Sequence, residues 1–408
     1  MHSSDEFKKL LASSFISQAG SHFLTLALSA FILVSSGSLV QSGLIFVVAY
    51  LPSILVSTRL GHWVDTKISR WLLARNEFVS ITSTVLCGLI VAYKLPLSLL
   101  CTVLGFRSLL MFISRAASTK WLKLITPPEL QTSRNKLLYL SFFLSTALAG
   151  VLLGFVLARA SIWKIVIIDV TSYVLSTIII LTLKELPKQQ TPQASGLVHP
   201  HLLETLSTIF KMPLVKRSFL IVCFSQALFQ GAYSALVSYL PIEHFKTGFH
   251  GVGRFQIAAS IGITGGFLIN WLWAKFLDEK DQGFPIRALV IFSFALASLM
   301  TAISTDSLML SLISFLGLNF FYECVWLHHT SEFFRASPKS SAARYQFTIS
   351  ACAAFLMSSY TLAYSASIEY LGLISGTLVV LGAGIFMIGI ISVATRNVGI
   401  PQVEGLVK

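Results

Sequence analysis

The chain has 408 residues, 55% of them hydrophobic and 12% charged, with a mean hydropathy of +0.77 and a formal net charge of +13. That composition leaves no soluble domain of useful size. The basic residues are scattered between long apolar runs and form no RNA- or DNA-binding motif, which excludes nucleic acid as the reason for the charge.

Apolar runs long enough to cross a bilayer lie near residues 10–34, 39–61, 72–93, 96–117, 136–158 and 162–183, and again near 217–240, 255–276, 286–304, 307–330, 345–369 and 371–394. They predict an all-α integral membrane protein of twelve transmembrane helices. The only long interruption, Lys184 to Lys216, contains Pro187, Pro192, Gly196 and Pro200 and reads as a linker, within which 201–210 suits a short interfacial helix. The expected domains are therefore 1–183, a cytoplasmic linker 184–216, and 217–408. The first run is too long for a signal-peptide core and no small-residue cleavage site follows it, so it is expected to be a mature helix.

Within that first segment Ser14, Gln18, Ser21, His22, Thr25 and Ser29 fall on an arc of about 100°. His22 is roughly 18 Å along the helix from Leu10, near the bilayer midplane. Polar groups at that depth face protein or water. Any one of them could simply bond a neighbouring helix, but six on one arc predict the wall of a cavity. Gln18, Ser21 and Thr25 are expected to bind substrate. An unperturbed histidine titrates near neutral pH, so His22 is a proton-carrier candidate, with a satisfied core histidine as the bland alternative.

In the fourth segment Arg107 is about 15 Å from Leu97, again near the midplane, and needs a partner. A cavity position that binds anionic substrate groups is expected; the alternative is a structural pair with Asp169 of the sixth segment. In the seventh segment Gln226, Gln230, Tyr233 and Ser234 share an arc and are expected to form the facing wall. In the tenth, Asn319 and Glu323 are four residues apart on one face. Asn319 joins the substrate contacts, and Glu323 is the second proton candidate unless it pairs with a basic loop residue. His328 and His329 are adjacent, which points their side chains apart and argues against a metal site. The five cysteines lie within apolar segments without metal-like spacing and read as packing residues.

The halves echo each other. Ser17-Gln18-Ala19 and Ala27-Leu28 recur as Ser225-Gln226-Ala227 and Ala235-Leu236 at a common offset of 208, which places Gln230 where His22 stands and predicts two parallel six-helix repeats. Of the 30 basic residues, Lys94, Arg159, Lys164, Lys246 and Arg254 fall on one side and Arg107 within a helix, which leaves 24 on the side of the termini. The positive-inside rule puts both termini in the cytoplasm.

The loop after the second segment, Gly61-His62-Trp63-Val64-Asp65-Thr66-Lys67-Ile68-Ser69-Arg70, resembles the signature of the major facilitator superfamily at Gly61, Asp65 and Arg70. Thr66, Ile68 and Ser69 depart from it. Pro128-Glu129-Leu130 with Asn135, and Asp169-Val170-Thr171-Ser172-Tyr173, resemble the exporter subgroup that includes macrolide and enterobactin exporters. The resemblance implies two pseudo-symmetric six-helix bundles around a substrate cavity that opens to each side in turn. It makes Gly61, Asp65 and Arg70 gating residues, with Asp65 set against the N-terminus of the eleventh helix. The implied function is a proton-coupled exporter of small amphipathic organic compounds, of siderophore or drug and macrolide type, in the cytoplasmic (inner) membrane. An importer of a nutrient, iron chelate or lysophospholipid is the alternative, and a ligand sensor the next. No nucleophile with base, P-loop or metal-ligand set is present in the sequence, so neither an enzyme nor a cofactor is expected. The partners expected are the lipid bilayer, the small-molecule substrate and protons, on a monomer.

Overall fold

The computed structural model describes residues 2–55, 64, 69–156, 161–185, 202–277, 284–337 and 342–395. Among these, thirteen helices follow one another: α1 (His2–Ser36), α2 (Leu39–Leu55), α3 (Arg70–Ala92), α4 (Leu97–Ile125), α5 (Pro128–Val156), α6 (Ile162–Leu181), α7 (Leu202–Lys211), α8, α9 (Gly248–Leu277), α10 (Phe284–Ser304), α11 (Leu308–Ala336), α12 (Ala342–Leu371) and α13 (Leu373–Thr395). α8 starts as Pro213–Ser225, passes through a π turn at Gln226–Gln230, resumes over Gly231–Tyr239 and ends in a second π turn at Leu240–His244. Among the described residues, seven helices are long and apolar enough to cross a membrane (α1, α4, α6, α8, α9, α11 and α12), and α2, α5, α10 and α13 carry shorter apolar stretches.

Local chemistry sets the ends. Gly37, at φ +66°, follows the last turn of α1 and its N–H returns to Leu33 O at 2.9 Å, a left-handed closure that favours glycine. Ser69 caps α3, its Oγ accepting the Leu72 N–H at 3.0 Å; a capping hydroxyl thus stands where the family signature has a basic residue. Pro213 opens α8 at a first-turn position, where its missing N–H costs no helical bond. Several helices outrun their apolar segments on the side of the termini: α4 continues to Ile125, α5 begins at Pro128 and α11 continues to Ala336. α7 matches the interfacial helix expected near 201–210, with Ile209 buried against α8 and α12 and Phe210 exposed.

In the first half α1 packs on α2, α5 and α6, and α3 on α4 and α6. In the second half α8 packs on α11 and α12, and α11 on α9 and α10. The halves meet along two seams, α2 with α12 and α5 with α9. These pairs exchange with each other when the halves are exchanged, as a repeat requires.

Both seams close toward the ends remote from the chain termini. There Gly253 of α9 lies against Gly150 and Gly154 of α5, so tightly that a Cβ at 253 would stand 2.7 Å from Gly154 Cα and from Gly150 O. Gly43 of α2 faces Ser365 and Thr361 of α12. Ser29 Oγ bridges Ser42 Oγ (2.8 Å) and Ser238 Oγ of α8 (3.2 Å). At the very end, Glu369 of α12 accepts the Val40 N–H of the first turn of α2 at 2.9 Å and the Ser38 hydroxyl at 3.0 Å. A carboxylate there satisfies orphan N–H groups and meets the positive end of the helix dipole.

Candidate functional site

The polar stripe of α1 does not face one cavity. Ser14, Ser17, Gln18 and Ser21 line a crevice inside the first half, together with Asn76, Glu77 and Ser80 of α3, Ser114, Arg115 and Ser118 of α4, and Tyr173 and Ser176 of α6. His22 turns the other way, with its ring edge-on to Phe142 of α5 at 4.9 Å, and Ser29 reaches α2 and α8. Thr25 is half-buried and donates to Ser21 O at 3.0 Å. The reason is geometric: an arc of about 100° on a helix with neighbours on every side is wide enough for two of them.

Arg107 corrects the expectation of a substrate contact. It is 2% exposed, and its Nη1 lies 2.7 Å from Oδ2 of Asp169, which is fully buried. The guanidinium also donates to Thr84, stacks over the Tyr173 ring at 5.1 Å and reaches Ser21 Oγ at 3.4 Å. Thr84 in turn donates to Asp169 at 2.7 Å, and Ser21 shares a 2.8 Å hydrogen bond with the Tyr173 hydroxyl. Burying a charge is expensive without a well-bonded partner, and here the fourth and sixth helices supply both. Ser21 is therefore part of this internal knot, not of a wall between the halves.

The residues that do lie between the halves are half-exposed although they sit mid-helix: His22, Thr25 and Tyr50 from the first, Gln226, Gln230 and Tyr233 from the second. With them stands Arg115 of α4, exposed, its guanidinium 4.0 Å from the centre of the Phe142 ring. Phe142 is thus held between a guanidinium on its face and the His22 imidazole at its edge. Across the seam, Phe143 meets Phe267 of α9 at 5.9 Å. Tyr233 donates to Gln256, stacks on Phe315 at 5.9 Å, and Gln256 continues through Ser260 to Thr146 of α5, each step 3.3 Å. Gln226 accepts from Trp326 Nε1 at 3.2 Å. The result is a face between the halves that combines aromatic rings, amide groups and the Arg115 guanidinium.

The other expected residues fall elsewhere. Asn319 is buried in α11 and bonds the carbonyl of Phe315 in its own helix at 2.8 Å, so the expected substrate contact is turned into the second half. Glu323, 3% exposed, packs beside Gly266 of α9, and its Oε1 has no hydrogen-bond partner among the described residues. Arg70 pairs with Glu185 at 3.2 Å and donates to Leu183 O at 3.3 Å, which ties the start of α3 to the end of α6. Gly61 and Asp65 lie outside the described residues. His328 and His329 do not diverge in effect, because Glu332 stands at i+4 and i+3 and both reach it, at 3.7 and 3.1 Å.

Two residues escaped the sequence reading. Arg115 lies near the predicted end of the fourth segment, where a cation reads as a flanking residue; the helix runs on to Ile125 and leaves it inside. Glu77 follows Arg70 and Arg75 and reads as part of a charged entry to the third segment, although Ser80 and Thr84 continue its polar face at helical spacing.

The sequence model of the Major Facilitator Superfamily matches residues 10–355. No curated protein matches the chain significantly in sequence. Among solved structures, a mutant form of the nucleoside transporter NupG superposes with a TM-score of 0.74 at 15% identity, covering 96% of this chain and 99% of that one. A POT family transporter in complex with 5-aminolevulinic acid gives 0.72 at 13%, covering 96% of each chain. A bacterial homologue of the human lysosomal transporter Spinster, inward-facing and unoccupied, gives 0.70 at 14%, covering 97% of each.

Proposed function

The chain belongs to the Major Facilitator Superfamily and is a membrane transport protein, and from that premise we propose that it is a proton-coupled exporter of small amphipathic organic compounds that works by alternating access. The compounds are of the siderophore or drug and macrolide class. The observation that carries the reading is the cleft between the halves. Phe142 and Tyr233 offer aromatic surface, Gln226 and Gln230 offer amide groups, and Arg115 attracts an anionic group, a lining suited to an organic acid with a large hydrophobic body. The units that rock against each other are 1–183 and 217–408, joined by the linker 184–216, with both termini in the cytoplasm. Closed on the far side as described, the protein is in the state that exchanges ligand with the terminus side.

The coupling proton is carried by Glu323, with His22 as the contact that senses it in the cleft. Ionised carboxylate without a counter-charge is costly at membrane depth, and Glu323 Oε1 and His22 Nε2 both lack hydrogen-bond partners among the described residues. Gly61 and Asp65 gate the opposite state, with Arg70 anchoring their loop to α6.

Transport in proteoliposomes under an imposed pH gradient tests this. Glu323→Gln should abolish pH-driven flux and keep substrate counterflow, and Arg115→Ala should weaken anionic substrates more than neutral ones. Wild-type pH-driven flux in both Glu323→Gln and His22→Ala sinks the coupling. Net flux toward the terminus side in sided vesicles makes the protein an importer, and binding without counterflow makes it a sensor.

A further inference from the structure

A polar side chain is buried in the seam between α5 and α9 itself. Gln256 of α9 is 3% exposed, and its stem lies on Gly150 of α5, where a Cβ at 150 would stand 2.7 Å from Gln256 Cγ. The protons along its hydrogen bonds all run one way. Thr146 of α5 donates its hydroxyl proton to Phe143 O of its own helix at 2.7 Å. A hydroxyl has one proton to give, so in the 3.3 Å pair between Thr146 and Ser260 the serine is the donor. Ser260 then accepts from Gln256 Nε2, also at 3.3 Å. That turns the amide oxygen toward Tyr233, whose hydroxyl donates to it. Reversing the amide would leave no proton for the contact between Ser260 and Thr146. A single line of donors therefore leads from Tyr233 of α8, on the face between the halves, across the seam to the backbone of α5.

The first link is the one a ligand can break. Tyr233 has one hydroxyl proton and is half-buried on the face where Arg115, Gln226 and Gln230 stand. A carboxylate or other anionic oxygen accepts a hydrogen bond about twice as strongly as a neutral amide. An anionic group that takes the Tyr233 proton leaves Gln256 Oε1 without a partner, at a position closed to water while the seam is shut. A buried acceptor left unmade costs more than its bond contributed, and opening the seam lets water replace the bond.

We propose that Gln256 is a positioning residue that couples Tyr233 to the far-side seam: an anionic oxygen bound at Tyr233 strands the Gln256 amide, destabilises the closed seam and so favours opening to the far side. Its part in transport rests on substrate meeting Tyr233, as in the function proposed above, whereas the link from Tyr233 to the seam is measured without any substrate.

Tyr233→Phe keeps the ring stacked on Phe315 and removes only the hydroxyl, which imitates the loss of its proton to a ligand. Pulsed dipolar spectra of the full chain, free of its five cysteines and labelled at Lys94 and Asp306 on far-side turns of opposite halves, read the closed and open populations. The closed-to-open ratio should fall about tenfold in Tyr233→Phe. Ser260→Ala strands the amide N–H at its other end and should lower the ratio by a similar factor without touching Tyr233. Adding Gln256→Met, which keeps the shape and removes the amide, should bring both variants back to within about twofold of wild type, because an apolar replacement leaves nothing unpaired. A loss of packing at Tyr233 or Ser260 would not be repaired in this way. Wild-type distances in Tyr233→Phe and Ser260→Ala overturn the proposal, as does an opening that Gln256→Met leaves in place. The expected responses in a protein that moves no organic acid would support the link and refute the transport reading instead.

Discussion

Replacing Glu369 by alanine removes the two bonds that fasten α12 to the first turn of α2, at 2.9 Å to Val40 N and 3.0 Å to Ser38 Oγ. Each is a charge-assisted bond at an exposed helix N-terminus, where a cap contributes about 0.5–2 kcal/mol and the dipole up to about 1. Solvent exposure holds the combined loss near the lower part of that range, about 1.4 kcal/mol, which is roughly tenfold in an equilibrium constant. Because the bonds exist only when the far side is closed, the whole loss falls on the closed state. A population about nine-tenths closed would become about half closed. Spin labels at Lys94 and Asp306, exposed on far-side turns of opposite halves, read the change as a longer-distance component in pulsed dipolar spectra, on a background without the five cysteines. Glu369→Gln, which keeps an acceptor and loses the charge, should give about half the effect in free energy. Identical distance distributions in wild type and Glu369→Ala would refute the latch, and the seams would then have to hold the far side shut alone.

Two more outcomes follow from packing. Arg107→Ala leaves Asp169 buried without its counter-ion, a loss of about 3–5 kcal/mol. It should lower the unfolding temperature of the purified protein by on the order of 5 °C or more; unchanged melting with a selective loss of anionic substrates would return Arg107 to the cleft. Gly253→Val puts a side chain 2.7 Å from Gly154 Cα, whereas a Cβ at Gly154 meets nothing nearer than 3.9 Å. The same label pair should report an opened far side in Gly253→Val, at a cost of about 1–3 kcal/mol to the closed state, and wild-type distances in Gly154→Ala.

Helix number and the family were legible because both rest on patterns one segment long: apolar runs of spanning length, and the Gly61–Arg70 loop. The partners of individual polar residues were not. Arg107 and Asp169 are 62 positions apart, and whether an arginine at the midplane meets a carboxylate or a substrate depends on which faces α4 and α6 turn to each other. The α1 stripe shows the same limit. Periodicity locates Ser14 to Ser29 on one arc, but the division of that arc between the crevice and the cleft is fixed by α3 and α5, which the arc does not encode. Arg115 was hidden by the assumption that a helix ends where its apolar run ends.

The π turn at Gln226–Gln230 gives α8 a property that a plain rod lacks. It holds about one residue more than an α-helical turn would, so drawing that residue into regular helix would twist Gly231–Tyr239 by about 100° and shift it by about 1.5 Å relative to Pro213–Ser225. Tyr233 and Ser238 ride on the part that turns; Phe219 and Cys223 sit on the part that stays. The second half can thus change the side chains it shows to a ligand while its anchorage to α11 and α12 on the terminus side is undisturbed, in the way a screw advances without its thread being cut.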